Sequence, residues 1–227
     1  MPFAFMNGQY LLLIVVSLIL GLGTQYYINR QYKKYSKVNI TTGMTGAQAA
    51  RQMLDANGLA NISIQAVGGK LTDHYDPRTN VVSLSEAVYN GRTVAATAIA
   101  CHECGHAVQY AHKYAPAIAR GAIVPVVNVA SNLWMFALII GFFMQITGLV
   151  WAAIIMYAAV LVFQLVTLPV ELNASRRAMA YISTGNFLPA EESRGARSVL
   201  TAAALTYVAA ALVSILQLLY LLGMARR

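Results

Sequence analysis

Three stretches of the chain carry no Asp, Glu, Lys, Arg or His: residues 1–29, 121–170 and 198–225. Charge-free runs of this length mark membrane spans, because an ionised side chain in hydrocarbon is costly and a helix needs about 20 apolar residues to cross. The first and last runs fit one crossing each. As a single helix the middle run would reach roughly 75 Å, more than twice a hydrocarbon core of about 30 Å. It therefore folds back once, at its most turn-like stretch, Gln145-Ile146-Thr147-Gly148. The pattern predicts four transmembrane helices, over about 10–27, 123–143, 149–168 and 199–222.

Two stretches can lie in water: a long one over 29–120 and a shorter loop over 171–197. In the first, Thr45 is placed to cap a helix through about residue 56, with Ala47, Ala50, Met53 and Leu54 on one face and Gly58 as its stop. Residues 61–67 alternate, with Ile62, Ile64 and Ala66 against polar neighbours, which predicts a strand. Gly68-Gly69 reads as a hairpin turn, with Leu71-Thr72 starting the return strand. Residues 76–80 read as a turn and 81–84 as a short strand. A long helix follows over about 92–112, with Pro116 near its end.

Composition agrees with the spans. Of the 227 residues, 58% are hydrophobic and 11% charged, against about 25% charged in an ordinary soluble domain. Disordered, collagen-like and coiled-coil classes are excluded, and a soluble fold of this size has no room for four helices that are apolar all round. The net charge of +8 is read as membrane topology and not as a nucleic-acid footprint. Arg30, Lys33, Lys34 and Lys37 follow the first span, Arg120 precedes the second, and Arg176, Arg177, Arg194 and Arg197 lie between the third and fourth. The positive-inside rule places all of these in the cytoplasm and both chain ends outside, with Arg226 and Arg227 on the unfavoured side. Residues 1–9 hold no basic residue and no small-residue cleavage site follows the apolar run, so the first span is expected to be a retained anchor. The spans carry no ionisable residue, which argues against a transporter.

Within the long helix stands His102-Glu103-Cys104-Gly105-His106, an H-E-x-x-H motif. Residues i and i+4 lie about 40° apart around a helix, so both imidazoles can reach one tetrahedral zinc ion. Glu103 lies about 80° from their mean direction. It is poorly placed as a ligand but well placed to take a proton from a water and hand it to a leaving amine, as a general base. Val94, Ala95, Ala98, Ile99 and Ala100 make the preceding turns apolar, so the histidines sit on an inner helix. A catalytic zinc needs a third protein ligand, and two residues compete. His112 has the spacing of H-E-x-x-H-x-x-G-x-x-H, but Gln109 stands where that motif turns on glycine; on a continued helix His112 is about 9 Å beyond His106 along the axis. Glu171 is the first charged residue after the middle run. Two crossings separate it from His106, so both emerge on the same membrane face, and small Ala174 and Ala178 admit a neighbouring helix. The topology favours Glu171. Ser175, four residues on, faces the same way and can bond a ligand histidine.

The remaining candidates are weaker. Cys101 and Cys104 lie about 120° and 180° from the zinc direction, so they are expected to pack the back of the helix as free thiols, with a C-x-x-C redox pair as the alternative. His74, between Asp73 and Asp76, could hold a second metal or donate to an oxyanion. Arg176, Arg177 and Tyr181 are rival donors for that role.

Together, several segments resemble the YugP-like family of membrane neutral zinc metallopeptidases over most of the chain. They are the anchor with its basic flank, Leu71-Thr72-Asp73-His74-Tyr75-Asp76-Pro77-Arg78, Val82-Ser83-Leu84-Ser85, Cys101-His102-Glu103-Cys104-Gly105-His106-Ala107-Val108-Gln109 and Leu168-Pro169-Val170-Glu171-Leu172-Asn173-Ala174-Ser175. The resemblance implies one zinc ion held by His102 and His106, with Glu103 as catalytic base. More distantly the plan is similar to HtpX-type and CAAX-prenyl membrane proteases, whose E-x-x-A-D segment supplies the third ligand; Glu171 aligns with its Glu, and Ser175 stands where its Asp would be.

The expected fold is an α+β membrane protein: four transmembrane helices with a zincin-like cytoplasmic domain made of a short sheet and the H-E-x-x-H helix. The expected organisation is an anchor over 1–29, the cytoplasmic domain over 30–120, a transmembrane hairpin over 121–170, a cytoplasmic segment with the third ligand over 171–198, and a last transmembrane helix over 199–227. The expected function is a multi-pass cell-membrane zinc endopeptidase of gluzincin type. It would act on protein or peptide substrates, in a lipid bilayer, without nucleic acid. The alternative is a zinc-binding membrane scaffold or regulatory protein without catalysis. The strand over 81–84 is expected at the sheet edge, where it would align an extended substrate.

Overall fold

The computed structural model describes residues 8–184 and 187–226. Residues 1–7 of the expected anchor, and Arg227, lie outside the described residues. The chain divides into two compact units. One comprises residues 1–25, 119–168 and 206–227, the other 26–118 and 169–205.

The first unit is built from helices. Among the described residues, four helices are of membrane length and contribute to it: α1 (Gly8–Tyr35), α5 (Ala115–Phe143), α6 (Thr147–Ser183) and α7 (Ala190–Ala225). The expected reversal in the middle run is a tight turn between α5 and α6, with Gln145 in the left-handed region (φ 56°). Leu138, Ala153, Ile154, Tyr157 and Leu221 form its buried cluster, and Trp134 packs on Tyr157 with ring centroids 4.6 Å apart.

The second unit holds α2 (Gly46–Ala56), β1 (Ser63–Val67), β2 (His74–Asp76), β3 (Val81–Ser85), α3 (Glu86–Tyr89) and α4 (Val94–Ala111). Thr45 caps α2 in a capping box with Gln48: its hydroxyl accepts from the Gln48 backbone N–H at 3.2 Å, and the Gln48 side chain accepts from the Thr45 N–H at 2.8 Å. Thr93 caps α4 through the Ala96 N–H. α4 is apolar on nearly every face and packs against α2, α3, β2 and β3. The core joins Met53 and Leu54 of α2, Val82 and Leu84 of β3, the alanines of α4, and Ala178 and Ile182 of α6.

Three local expectations are corrected. The sheet order is β1-β3-β2, so the strand over 81–84 is central and not an edge. Val82, Ser83, Leu84 and Ser85 are all buried, which only a central strand satisfies, whereas β1 is half exposed. Gly68-Gly69 does not make a hairpin either. β1 pairs parallel with β3, and a parallel pair needs a crossover of about a dozen residues. The intervening chain, with Gly69 at φ 100° and Leu71 at φ 59°, leads instead into β2, which pairs antiparallel with β3 through the turn at 77–80. Finally, 171–197 is mostly not a loop. α6 continues past Pro169 to Ser183, and α7 begins at Ala190. The charge-free runs mark the apolar part of each helix, not its full length.

Candidate metal centre

All residues of the centre belong to the second unit. α4 and the 169–183 end of α6 run antiparallel: Gln109 meets Val170, Gly105 meets Ala174, and His102 meets Ser175. The approach is close because the facing residues are small. A Cβ built on Gly105 would lie 2.5 Å from the Ala174 carbonyl oxygen, and Ala174 and Ala178 are fully buried. Alanine at an exposed helical glycine site usually stabilises. Gly105→Ala is expected to do the opposite, lowering stability by about 1–3 kcal/mol through overpacking against backbone. A thermal melt checks it, and a raised Tm would refute the contact.

This packing brings Glu171 to the two histidines. Glu171 Oε2 lies 3.2 Å from His102 Nε2 and 3.6 Å from His106 Nε2. One donor atom from each residue lies within 4.8 Å of the others. A tetrahedral zinc with bonds of about 2.0–2.1 Å needs donors about 3.3 Å apart, and both Glu171 distances lie close to that spacing. The side chains are 13%, 12% and 4% exposed in the order His102, His106 and Glu171, shielded but not sealed.

Each imidazole is oriented through its other nitrogen. Ser175 Oγ lies 3.1 Å from His102 Nδ1, the contact expected from its spacing after Glu171. His106 Nδ1 lies 3.0 Å from Gln109 Oε1. The Gln109 amide has one possible direction, because its Nε2 donates to the Val170 carbonyl at 2.7 Å and to Asn173 Oδ1 at 3.0 Å. Its Oε1 must therefore accept from His106 Nδ1–H, which leaves the Nε2 lone pair facing Glu171. Gln109 and Asn173, which the sequence reading does not assign to the centre, tie its two helices together. The signal was a Gln one helical turn after a ligand-type His, which also reads as ordinary helix surface.

Burial pushes the His106 pKa down, but the nearby Glu171 carboxylate, with the charge of Glu103 and the Gln109 contact, outweighs it and the net shift is upward. Glu103 is buried and lies outside the three-donor group, as its angle on the helix predicts.

The other candidates stand elsewhere. His112 caps the end of α4 with its Nδ1 3.3 Å from the Arg177 guanidinium, which is also held by Asn173. His74 is exposed on β2 with Nδ1 2.8 Å from the Thr72 carbonyl. Asp73 accepts from the Ser85 N–H and hydroxyl, and Asp76 from the Arg78 N–H, so both carboxylates serve the local backbone. Among the described residues neither His74 nor His112 joins the donor group. Arg176 is exposed. Tyr181 lies about 15 Å along α6 from Glu171, with its hydroxyl towards Gln52.

Cys101 and Cys104 are free and fully buried on the back of α4. Burial pushes the Cys101 thiol up to about 12, and burial with the neighbouring charges of Cys101 and Glu103 raises Cys104. Both thiols are therefore expected to resist a thiol reagent at neutral pH in the native protein and to react on denaturation. Rapid native labelling would contradict this burial.

An H-E-x-x-H helix joined by a carboxylate from a second helix, with four membrane-length helices among the described residues, is an arrangement suited to a membrane metallopeptidase. The chain matches the family described as "Putative neutral zinc metallopeptidase" over residues 10–226, and belongs to it. It is 45% identical over 210 residues to "Putative membrane protease YugP" of Bacillus subtilis (strain 168), covering 92% of this chain and 93% of that one. No solved structure gives a significant match.

Proposed function

We propose that the chain is a zinc endopeptidase in which His102, His106 and Glu171 hold one zinc ion and Glu103 is the general base. The observation that carries this is the convergence of one donor atom from each of His102, His106 and Glu171 within 4.8 Å, with the Glu171 oxygen 3.2 and 3.6 Å from the two Nε2 atoms. A bound zinc supplies Lewis acidity, polarising a peptide carbonyl and making water acidic enough to ionise near neutral pH. The protein's own part is positional and protonic. Gln109 and Ser175 fix the imidazole rings, so donors need no reordering when a cation enters. Glu103, next to His102 in sequence and buried beside the donors, takes the water proton as the water attacks the carbonyl. It then returns that proton to the amine nitrogen as the C–N bond breaks.

The basic residues flanking the spans support a cytoplasmic position for this centre, and the substrate class is protein or peptide. The test is hydrolysis of an unstructured protein by the full chain in lipid nanodiscs. A chelator is expected to abolish turnover and about one equivalent of zinc to restore it. Tight zinc binding without any turnover would favour the scaffold reading instead.

A further inference from the structure

The membrane unit carries a polar patch that the metal centre does not use. Asn128, Ser131 and Asn132 are all exposed, although they lie in the middle of α5, a 29-residue helix apolar enough to cross a membrane. Val127, Ala130 and Leu138 are buried and mark the face that α5 turns to its own unit. At 100° per residue, Asn132 points about 150° away from the middle of that face. Its outward neighbours Met135, Phe136 and Ile139 are 45%, 64% and 46% exposed, as lipid-facing residues are.

Part of this polarity is absorbed within the helix. Ser131 Oγ and Asn132 Nδ2 donate back to the Asn128 carbonyl at 3.1 and 2.7 Å. The Asn128 carboxamide, and the Asn132 Oδ1 with its second N–H, have no hydrogen-bond partner among the described residues. Gln164, the amide in the middle of α6, is by contrast partly covered. Water would satisfy these groups; hydrocarbon does not.

We propose that this face of α5 is the contact of a homodimer, in which α5 of a second copy packs parallel to it about a two-fold axis normal to the membrane. A carboxamide both donates and accepts, so an identical patch is self-complementary under that symmetry. Asn128 meets its own counterpart and Asn132 meets its own, giving two rungs one helical turn apart. Buried amides at helix interfaces are known to set register and oligomeric state. The occupant must be a standing one. A substrate helix, present only during turnover, would leave the amides unpaired in lipid between visits, whereas a second copy is always there. The proposal does not rest on the peptidase reading.

The test uses the full chain in lipid vesicles. Asn132→Cys is expected to cross-link into dimers on mild oxidation, while Ile155→Cys, at a 68% exposed position on α6, does not. The native cysteines are buried and give a silent background. Energy transfer between labelled copies, followed on lipid dilution, should show the Asn128→Leu, Asn132→Leu double variant dissociating at least about ten-fold more readily. The corresponding double Gln variant, which keeps both amides, should stay dimeric. Wild-type chain that is monomeric at every dilution would overturn the proposal. Equal cross-linking at 132 and 155, dimers indifferent to the Leu pair, or capture at 132 of a different membrane protein in place of a second copy would do so as well.

Discussion

Glu103→Gln is expected to bind zinc as the parent chain does and to hydrolyse peptide at least about 100- to 10,000-fold more slowly, the usual contribution of a general base. The substitution keeps the shape and volume of the side chain and removes only its ability to hold a proton. Glu103 is not among the three converging donors, so the binding atoms are undisturbed. Its charge is one of several supports for positive charge at His106, behind the Glu171 carboxylate, so a small loss of cation affinity is allowed. The measurement is kcat/KM together with zinc stoichiometry on the same preparation. Activity within a few-fold of the parent would remove Glu103 from the base role, whatever the metal does.

What the sequence disclosed depended on how local the signal was. The four spans follow from where charge is absent, a property that needs no knowledge of neighbours, and the structure has a membrane-length helix at each. The pairing of His102 with His106 is also local, fixed by 3.6 residues per turn. Glu171 was reachable because counting crossings constrains which chain segments can meet. The failures lie where pairing is non-local. Alternation over 61–67 identifies a strand but not its neighbour, so it reveals neither the parallel partner β3 nor that β3 is central. Gln109 is fully buried with both ends of its amide engaged, but an isolated Gln near a helix end gives no sign of that. Only the approach of α6, permitted by Gly105 and Ala174, makes it a bridge between the helices that carry the two histidines and Glu171.

Glu171→Ala is expected to separate metal binding from folding. The side chain does not hold α6 against α4 alone: Gly105 packs on Ala174, and Gln109 bonds Val170 and Asn173, none of which needs the carboxylate. The variant should therefore remain folded, while zinc affinity falls by more than about 100-fold. Loss of a residue that merely orients a ligand already costs about 10- to 100-fold, and loss of a donor costs more. Peptide hydrolysis should be lost along with the zinc. Competition against a calibrated chelator measures the affinity, and a circular dichroism melt reports the fold. The two variants then differ in kind: Glu103→Gln keeps the metal and loses turnover, Glu171→Ala loses both. Full zinc affinity in Glu171→Ala would mean that another residue completes the centre. His112 could do so only by leaving Arg177 and unwinding the end of α4, which the melt and a His112→Ala, Glu171→Ala double variant would expose.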